Sequence, residues 1–141
     1  MKKEDIRSVR RTWAVTSTLQ EMTGQMFYRR LFEIAPNTRS LFQGDMESQA
    51  MKLVTTLDFI VDHLDQLDTL MPDARDLAIR HVAYGVTADQ YPAVGEALIW
   101  TMSQVLGDKF TEADGQAWAV AYGTLSGAMI DAAYPDAATQ P

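Results

Sequence analysis

The 141-residue chain has no cysteine, which excludes disulfides, thiolate nucleophiles, zinc ribbons and iron–sulfur clusters together. It also lacks any surplus of positive charge. With a formal net charge of −7, phosphate backbones and anionic lipid surfaces are repelled at long range, so neither nucleic acid nor membrane is expected as a partner. Its basic cluster, Lys2, Lys3, Arg7, Arg10 and Arg11, is interrupted by Glu4 and Asp5 and reads as a solvated helix face. No apolar run approaches the roughly 20 residues that span a bilayer. The charged start "MKKEDIRSVRR" has no signal-peptide core, and a cytoplasmic protein is expected. Glycine-rich phosphate loops and serine nucleophile elbows are absent too. Gly123 and Gly127 lie within a predicted helix, where their spacing suggests close helix packing.

What remains is a chain that is 47% hydrophobic. It is long enough for one domain that buries roughly two-thirds of its unfolded surface. Its apolar spacing is helical almost everywhere. Ile6, Val9 and Trp13 make a first amphipathic face. "TLQE" (Thr18 to Glu21) has the capping-box pattern and starts a second helix, which the Ala35-Pro36 step ends. Pro36 suits the first turn of a short third helix, "PNTRSLF". After Gly44-Asp45, Ala50, Leu53, Leu57, Ile60 and Leu64 share a face. Pro72 interrupts that stretch and opens "PDARDLAIRHVAY", which Gly85 terminates as a left-handed cap. "TADQ" (Thr87 to Gln90) caps a helix with Tyr91, Val94, Leu98, Met102 and Val105 inward. Thr111 caps a last helix carrying Trp118, Ala121, Leu125 and Met129. The expectation is an all-α protein of about seven helices, one domain over 1–141, with a frayed polar tail over 135–141.

Few side chains on this scaffold suggest chemistry. Asp62, Asp65 and Asp68 with His63 spiral around a polar helix end, whereas hard-metal sites need convergent oxygens, so a solvated face is expected. His81 differs from His63, because Leu77, Ala78 and Val82 surround it. It stands in the last turn of its helix, where the dipole would favour a protonated ring. A metal-bound ring is instead neutral and oriented by a hydrogen bond at its other nitrogen. Taken alone, His81 reads as a packing residue more readily than as a ligand. Tyr28 shares a face with Gly24 and Phe32, which carries its hydroxyl toward the core, and Gln49 sits at the inner edge of the long helix. Buried polar groups need partners, and both can also reach solvent or backbone.

Two segments, "FYRRLFEIAPNTRSLF" (27–42) and "RHVAYGVTADQYPAVGEAL" (80–98), with "AWAVAYG" (117–123), resemble the globins. More narrowly, they resemble single-domain bacterial haemoglobins and the globin domain of flavohaemoglobins. The resemblance runs from about Ile6 to Ile130. It implies a globin fold packed around haem b, with His81 as the proximal iron ligand and Phe42 packing on the porphyrin. Tyr28 and Gln49 match the distal tyrosine and glutamine that stabilise a bound gas, and Leu53 the apolar residue over the iron. Leu77, Val86, Tyr91 and Val94 complete the cofactor-binding set. Gly24 and Ala50 match the small pair where the second helix crosses the long one. The chain departs from the flavohaemoglobin pattern at Ala133, where that family places a glutamate forming a proximal network with the tyrosine matched by Tyr91. Asp131, about 200° around the helix, does not substitute for it.

The resemblance implies reversible binding of O2, NO and CO. NO dioxygenation to nitrate would need a separate electron-donating reductase, and the oligomeric state is left open. An oxygen or redox sensor acting through a partner protein is the alternative. A haem-free helical adaptor is a third reading, against which His81, Tyr28 and Gln49 all speak.

Overall fold

The computed structural model describes residues 1–42 and 44–133, and the expected tail over 135–141 lies outside them. Among the described residues the chain forms six α-helices: α1 (Lys3–Thr16), α2 (Gln20–Ile34), α3 (Met46–Asp62), α4 (Leu67–Ala83), α5 (Tyr91–Leu106) and α6 (Glu112–Ala133). The all-α expectation holds. The short third helix is a six-residue 3₁₀ helix, Pro36–Leu41, with Pro36 at its first position, where a missing N–H costs nothing. Asp45 caps α3 by accepting from the Glu47 amide at 3.1 Å.

Gly85 ends α4 as expected, with φ +96°. Its amide donates to the Val82 carbonyl at 3.0 Å and the Val86 amide donates to the His81 carbonyl at 3.0 Å. This is the paired-bond ending that a glycine just past a helix makes available. It fixes the turn of helix that carries His81.

Three local expectations are corrected. Thr18 does not cap α2: its hydroxyl donates back to the Val15 carbonyl at 2.6 Å. The chain passes from α1 to α2 through a 3₁₀ turn, Ser17–Leu19, and Leu19 precedes α2 without a side-chain cap. Pro72 does not open α4 but lies inside it. The break falls at 63–66, and Pro72 withholds only the amide that would close on Asp68, near the start of the helix. Gly123 and Gly127 lie in α6, yet a Cβ at either would meet nothing within 4 Å, so they do not mark a tight helix crossing.

The tight crossing is elsewhere. A Cβ built on Gly24 would collide with the Ala50 side chain and come 3.0 Å from its Cα. The expected small pair therefore does let α2 and α3 approach backbone to backbone. The main core joins α1, α2, α3, α5 and α6 around Val9, Trp13, Phe27, Leu31, Val54, Leu98, Met102 and Trp118. α1 is tied along α6 by polar contacts: Trp118 Nε1 donates to Thr12 Oγ1 at 2.8 Å, and Arg11 pairs with the buried Asp114. A second, smaller cluster joins α4, the start of α5 and the end of α6 through Ala74, Ala78, Tyr91 and Met129. α4 packs on α6, whereas α3 packs on α2 and α1 and has no substantial contact with α4. No helix among the described residues is long and apolar enough to cross a membrane.

Candidate functional site

The candidate residues divide between the two apolar clusters. Phe42, Leu53 and Val94 are half-buried against the larger cluster. Leu77 and Val86 are half-buried against the smaller one, where Tyr91 is buried. Half-burial is the state expected of apolar side chains that line a crevice and lack atoms on one side.

His81 stands in the last turn of α4, half-buried. Its Nδ1 lies 2.8 Å from the Leu77 carbonyl oxygen, one turn back. A carbonyl only accepts, so the neutral ring carries its proton on Nδ1 and keeps the Nε2 lone pair. Nε2 has no hydrogen-bond partner among the described residues. Burial lowers the pKa of the ring below its usual 6.5, against the Leu77 bond, which raises it, and Arg80 adds to the lowering. Desolvation and a neighbouring cation thus act against the protonation that the helix dipole favours. The tautomer and charge are those a metal-binding imidazole requires. The Tyr91 ring lies behind it, 6.4 Å between centroids and tilted by 27°.

Tyr28 is buried on α2, and its hydroxyl donates to the Gln49 carbonyl of α3 at a long 3.4 Å. At that length the bond is weak, so the donor is readily given to a better acceptor. Burial pushes its pKa up to about 12, which keeps the phenol protonated. Tyr28 stands edge-on to Phe42, with ring centroids 5.0 Å apart. The structure therefore brings Tyr28, Gln49 and Phe42 together on the side of α2 and α3. The Gln49 side chain is half-buried and its amide has no hydrogen bond among the described residues. A cleft of about 480 Å³ opens behind this group, between α2 and α3, reaching Gly24, Tyr28, Phe32 and Ala50 but not His81.

His63 is set apart from all of these. Its Nδ1 bonds the Phe59 carbonyl at 2.7 Å and its ring lies against Phe59. Nearby, Asp65 pairs with Arg10 at 2.9 Å, and Asp62 and Asp68 are exposed. Ala133 is half-buried in the smaller cluster with Tyr91, while Asp131 is exposed on α6. Sequence reasoning missed Tyr122, whose hydroxyl donates to the Tyr91 carbonyl at 2.6 Å. The signal that could have found it is Gly95, a glycine inside an otherwise apolar helix.

The fold is all-helical among the described residues, and it sets a neutral, singly bonded histidine beside half-buried apolar side chains. The chain belongs to the globin family, whose family model matches residues 25–129. It is 34% identical over 125 residues to a flavohemoprotein of Bordetella parapertussis, covering 86% of this chain and 31% of that protein. It is 36% identical over 107 residues to a flavohemoprotein of Chromobacterium violaceum, covering 74% of this chain and 26% of that one. The chain thus spans less than a third of the length of these relatives. Among solved structures it is similar to an engineered carbene transferase derived from a candidate nitric oxide dioxygenase of Rhodothermus marinus. The TM-score there is 0.85 with 30% identity, over 98% of this chain and 96% of that one. A bacterial globin from Campylobacter jejuni shares the fold, with a TM-score of 0.82 and 24% identity over 98% of this chain and 100% of that one. Kinship to globins and flavohemoproteins implies a haem protein.

Proposed function

We propose that this chain is a cytoplasmic haem b protein that binds O2, NO and CO. In this reading it converts NO to nitrate when a separate reductase supplies electrons, consuming one O2 and one electron per NO. The observation that supports the reading is the state of His81: neutral, its Nδ1 proton held by the Leu77 carbonyl, and its Nε2 without a hydrogen-bond partner among the described residues.

The donor set fits haem. His81 Nε2 would take the iron, and Phe42, Leu53, Leu77, Val86 and Val94 would hold the porphyrin faces. When bound, haem would supply an iron that takes a diatomic gas. Tyr28 keeps its proton across the neutral range and so remains a hydrogen-bond donor on the α2–α3 side. Gln49 offers a second donor from α3. A donor to a partly charged acceptor contributes about 1.5–3 kcal/mol. Leu53 and Phe42 would shield a bound haem from water and so limit proton entry to its iron. With Ala133 where flavohaemoglobins carry a glutamate, the chain lacks that carboxylate on the side of Tyr91.

The test is rapid mixing of the reduced, oxygenated protein with NO. Stoichiometric nitrate with formation of ferric protein is expected, and multiple turnovers only when a reductant is present. NO consumption no faster than in buffer would defeat the dioxygenase part, and failure of the reduced protein to bind CO would defeat the whole.

A further inference from the structure

The helices α2 and α3 touch at Gly24 and Ala50 and leave a cleft of about 480 Å³ beside that contact. Gly24, Tyr28 and Phe32 line it from α2, and Met46, Ala50 and Met51 from α3. Gly24, Tyr28 and Ala50 are buried, Phe32 and Met46 are half-buried, and Met51 is exposed. The cleft therefore leads from the surface at Met51 inward to the Tyr28 ring.

The inner lining is apolar except for one hydroxyl. That group, on Tyr28, is already donated to the Gln49 carbonyl at 3.4 Å, so a water lodged there finds too few partners to settle. The charges at the border cancel, Glu21 and Glu47 standing against Arg29 and Arg39, and ions of neither sign are drawn in. A neutral, weakly hydrated diatomic gas loses little on leaving water for such a lining, whereas a charged ion such as nitrate loses its hydration. The volume is many times the roughly 30 Å³ share of one water, which makes the cleft a basin for several small molecules. Met46, the first residue of α3, gives it a movable wall, because an unbranched thioether changes shape at little cost.

We propose that this cleft is the entry basin for dissolved gas. It collects O2 and NO from solvent between α2 and α3 and passes them by the Tyr28 ring to the side where Tyr28 and Gln49 stand. The cleft does not reach His81, so gas arriving through it meets the donor side first. The inference rests on the gas binding proposed above, but whether the cleft admits an apolar guest is a property of the chain alone.

Two exposed residues on opposite walls, Met51 on α3 and Gln25 on α2, allow the basin to be filled without disturbing the core. In Met51→Trp and in Gln25→Trp, CO association with the reduced, haem-loaded protein should slow at least about threefold, equal to about 0.65 kcal/mol on the barrier to entry. Flash photolysis measures it. CO dissociation should slow by the same factor and leave the affinity unchanged, since an obstructed route hinders both directions alike. Ile79→Trp, as bulky and placed on α4 where the native side chain is 58% exposed, should leave both rates alone. Association unaltered in either cleft variant, slowed equally by Ile79→Trp, or slowed together with a changed affinity overturns the proposal.

Xenon is the probe for the chain itself. In protein labelled at its methionine methyl groups and held under xenon pressure, the NMR signals of Met46 and Met51 should shift. Those of Met102 and Met129, each packed in one of the two apolar clusters, should stay. No shift at Met46 and Met51, or one shared by all four, overturns the proposal. Should the unaltered chain fail to take haem, the functional reading fails by itself, and the xenon shifts alone decide whether the cleft admits an apolar guest.

Discussion

The His81 imidazole is held 2.8 Å from the Leu77 carbonyl, and the carbonyl of His81 itself accepts from the Val86 amide at 3.0 Å in the turn closed by Gly85. Side chain and backbone of one residue are thus fixed by the helix before it and the cap after it. Orientation of this kind, set by a bond at the second ring nitrogen, is what raises the quality of an imidazole as a ligand.

The distal prediction concerns Tyr28. Tyr28→Phe should raise the O2 dissociation rate at least about tenfold, the factor that corresponds to losing one charge-assisted hydrogen bond. Since the phenol titrates only at about 12, the rate in the unaltered protein should be flat from pH 6 to 10 on this account. Stopped-flow displacement of O2 by CO measures both, and an unchanged rate in the variant would retire the role.

The crossing of α2 and α3 gives a stability prediction. Gly24→Ala places a methyl against Ala50 with helix backbone behind it, and overpacking of this kind costs about 1–3 kcal/mol. Ala50→Gly in the same chain should return part of that loss, because the two changes share one contact. Urea unfolding of the two single variants and the double variant supplies the cycle. Additive losses would mean that the helices do not meet there.

A third expectation is acid lability at the α1–α6 junction. Burial raises the Asp114 pKa, but the Thr111 amide, Arg11 and the hydroxyls of Thr111 and Ser8 outweigh it, and the net shift is downward. A carboxyl with a lowered folded pKa adds stability above its unfolded value, near pH 4, and loses it as pH falls through the folded value. Asp114→Asn should therefore destabilise the protein at neutral pH and flatten the fall in stability below about pH 4. Denaturation midpoints measured from pH 2.5 to 7 decide this, and parallel curves would contradict it.

Much of this was legible in the residues because the physics was local. Gly85 had to end α4, since a positive φ of 96° suits glycine, and Pro36 marked its 3₁₀ helix for an equally local reason. Thr18 misled because Ser or Thr three residues before Glu looks the same whether the hydroxyl reaches forward or back, and here it bonds Val15. Pro72 misled because one missing amide early in a helix does not break it when tertiary packing holds the rest. The site divided in the same way. His81 and Tyr28 stood out only through the segments that resemble globins, whereas the Tyr122 bond to Tyr91 spans 31 residues and the Arg11–Asp114 pair 103, and no periodicity encodes such separations.

The most direct test is the absorption spectrum of the chain purified from cells supplied with haem, recorded beside that of His81→Ala. An intense Soret band with about one haem per chain is expected for the unaltered protein. The variant should show weak, shifted absorption and haem that washes away. An unaltered chain that stays colourless, or a variant that retains its haem with the same band, would contradict the assignment of His81 as the residue that holds the iron.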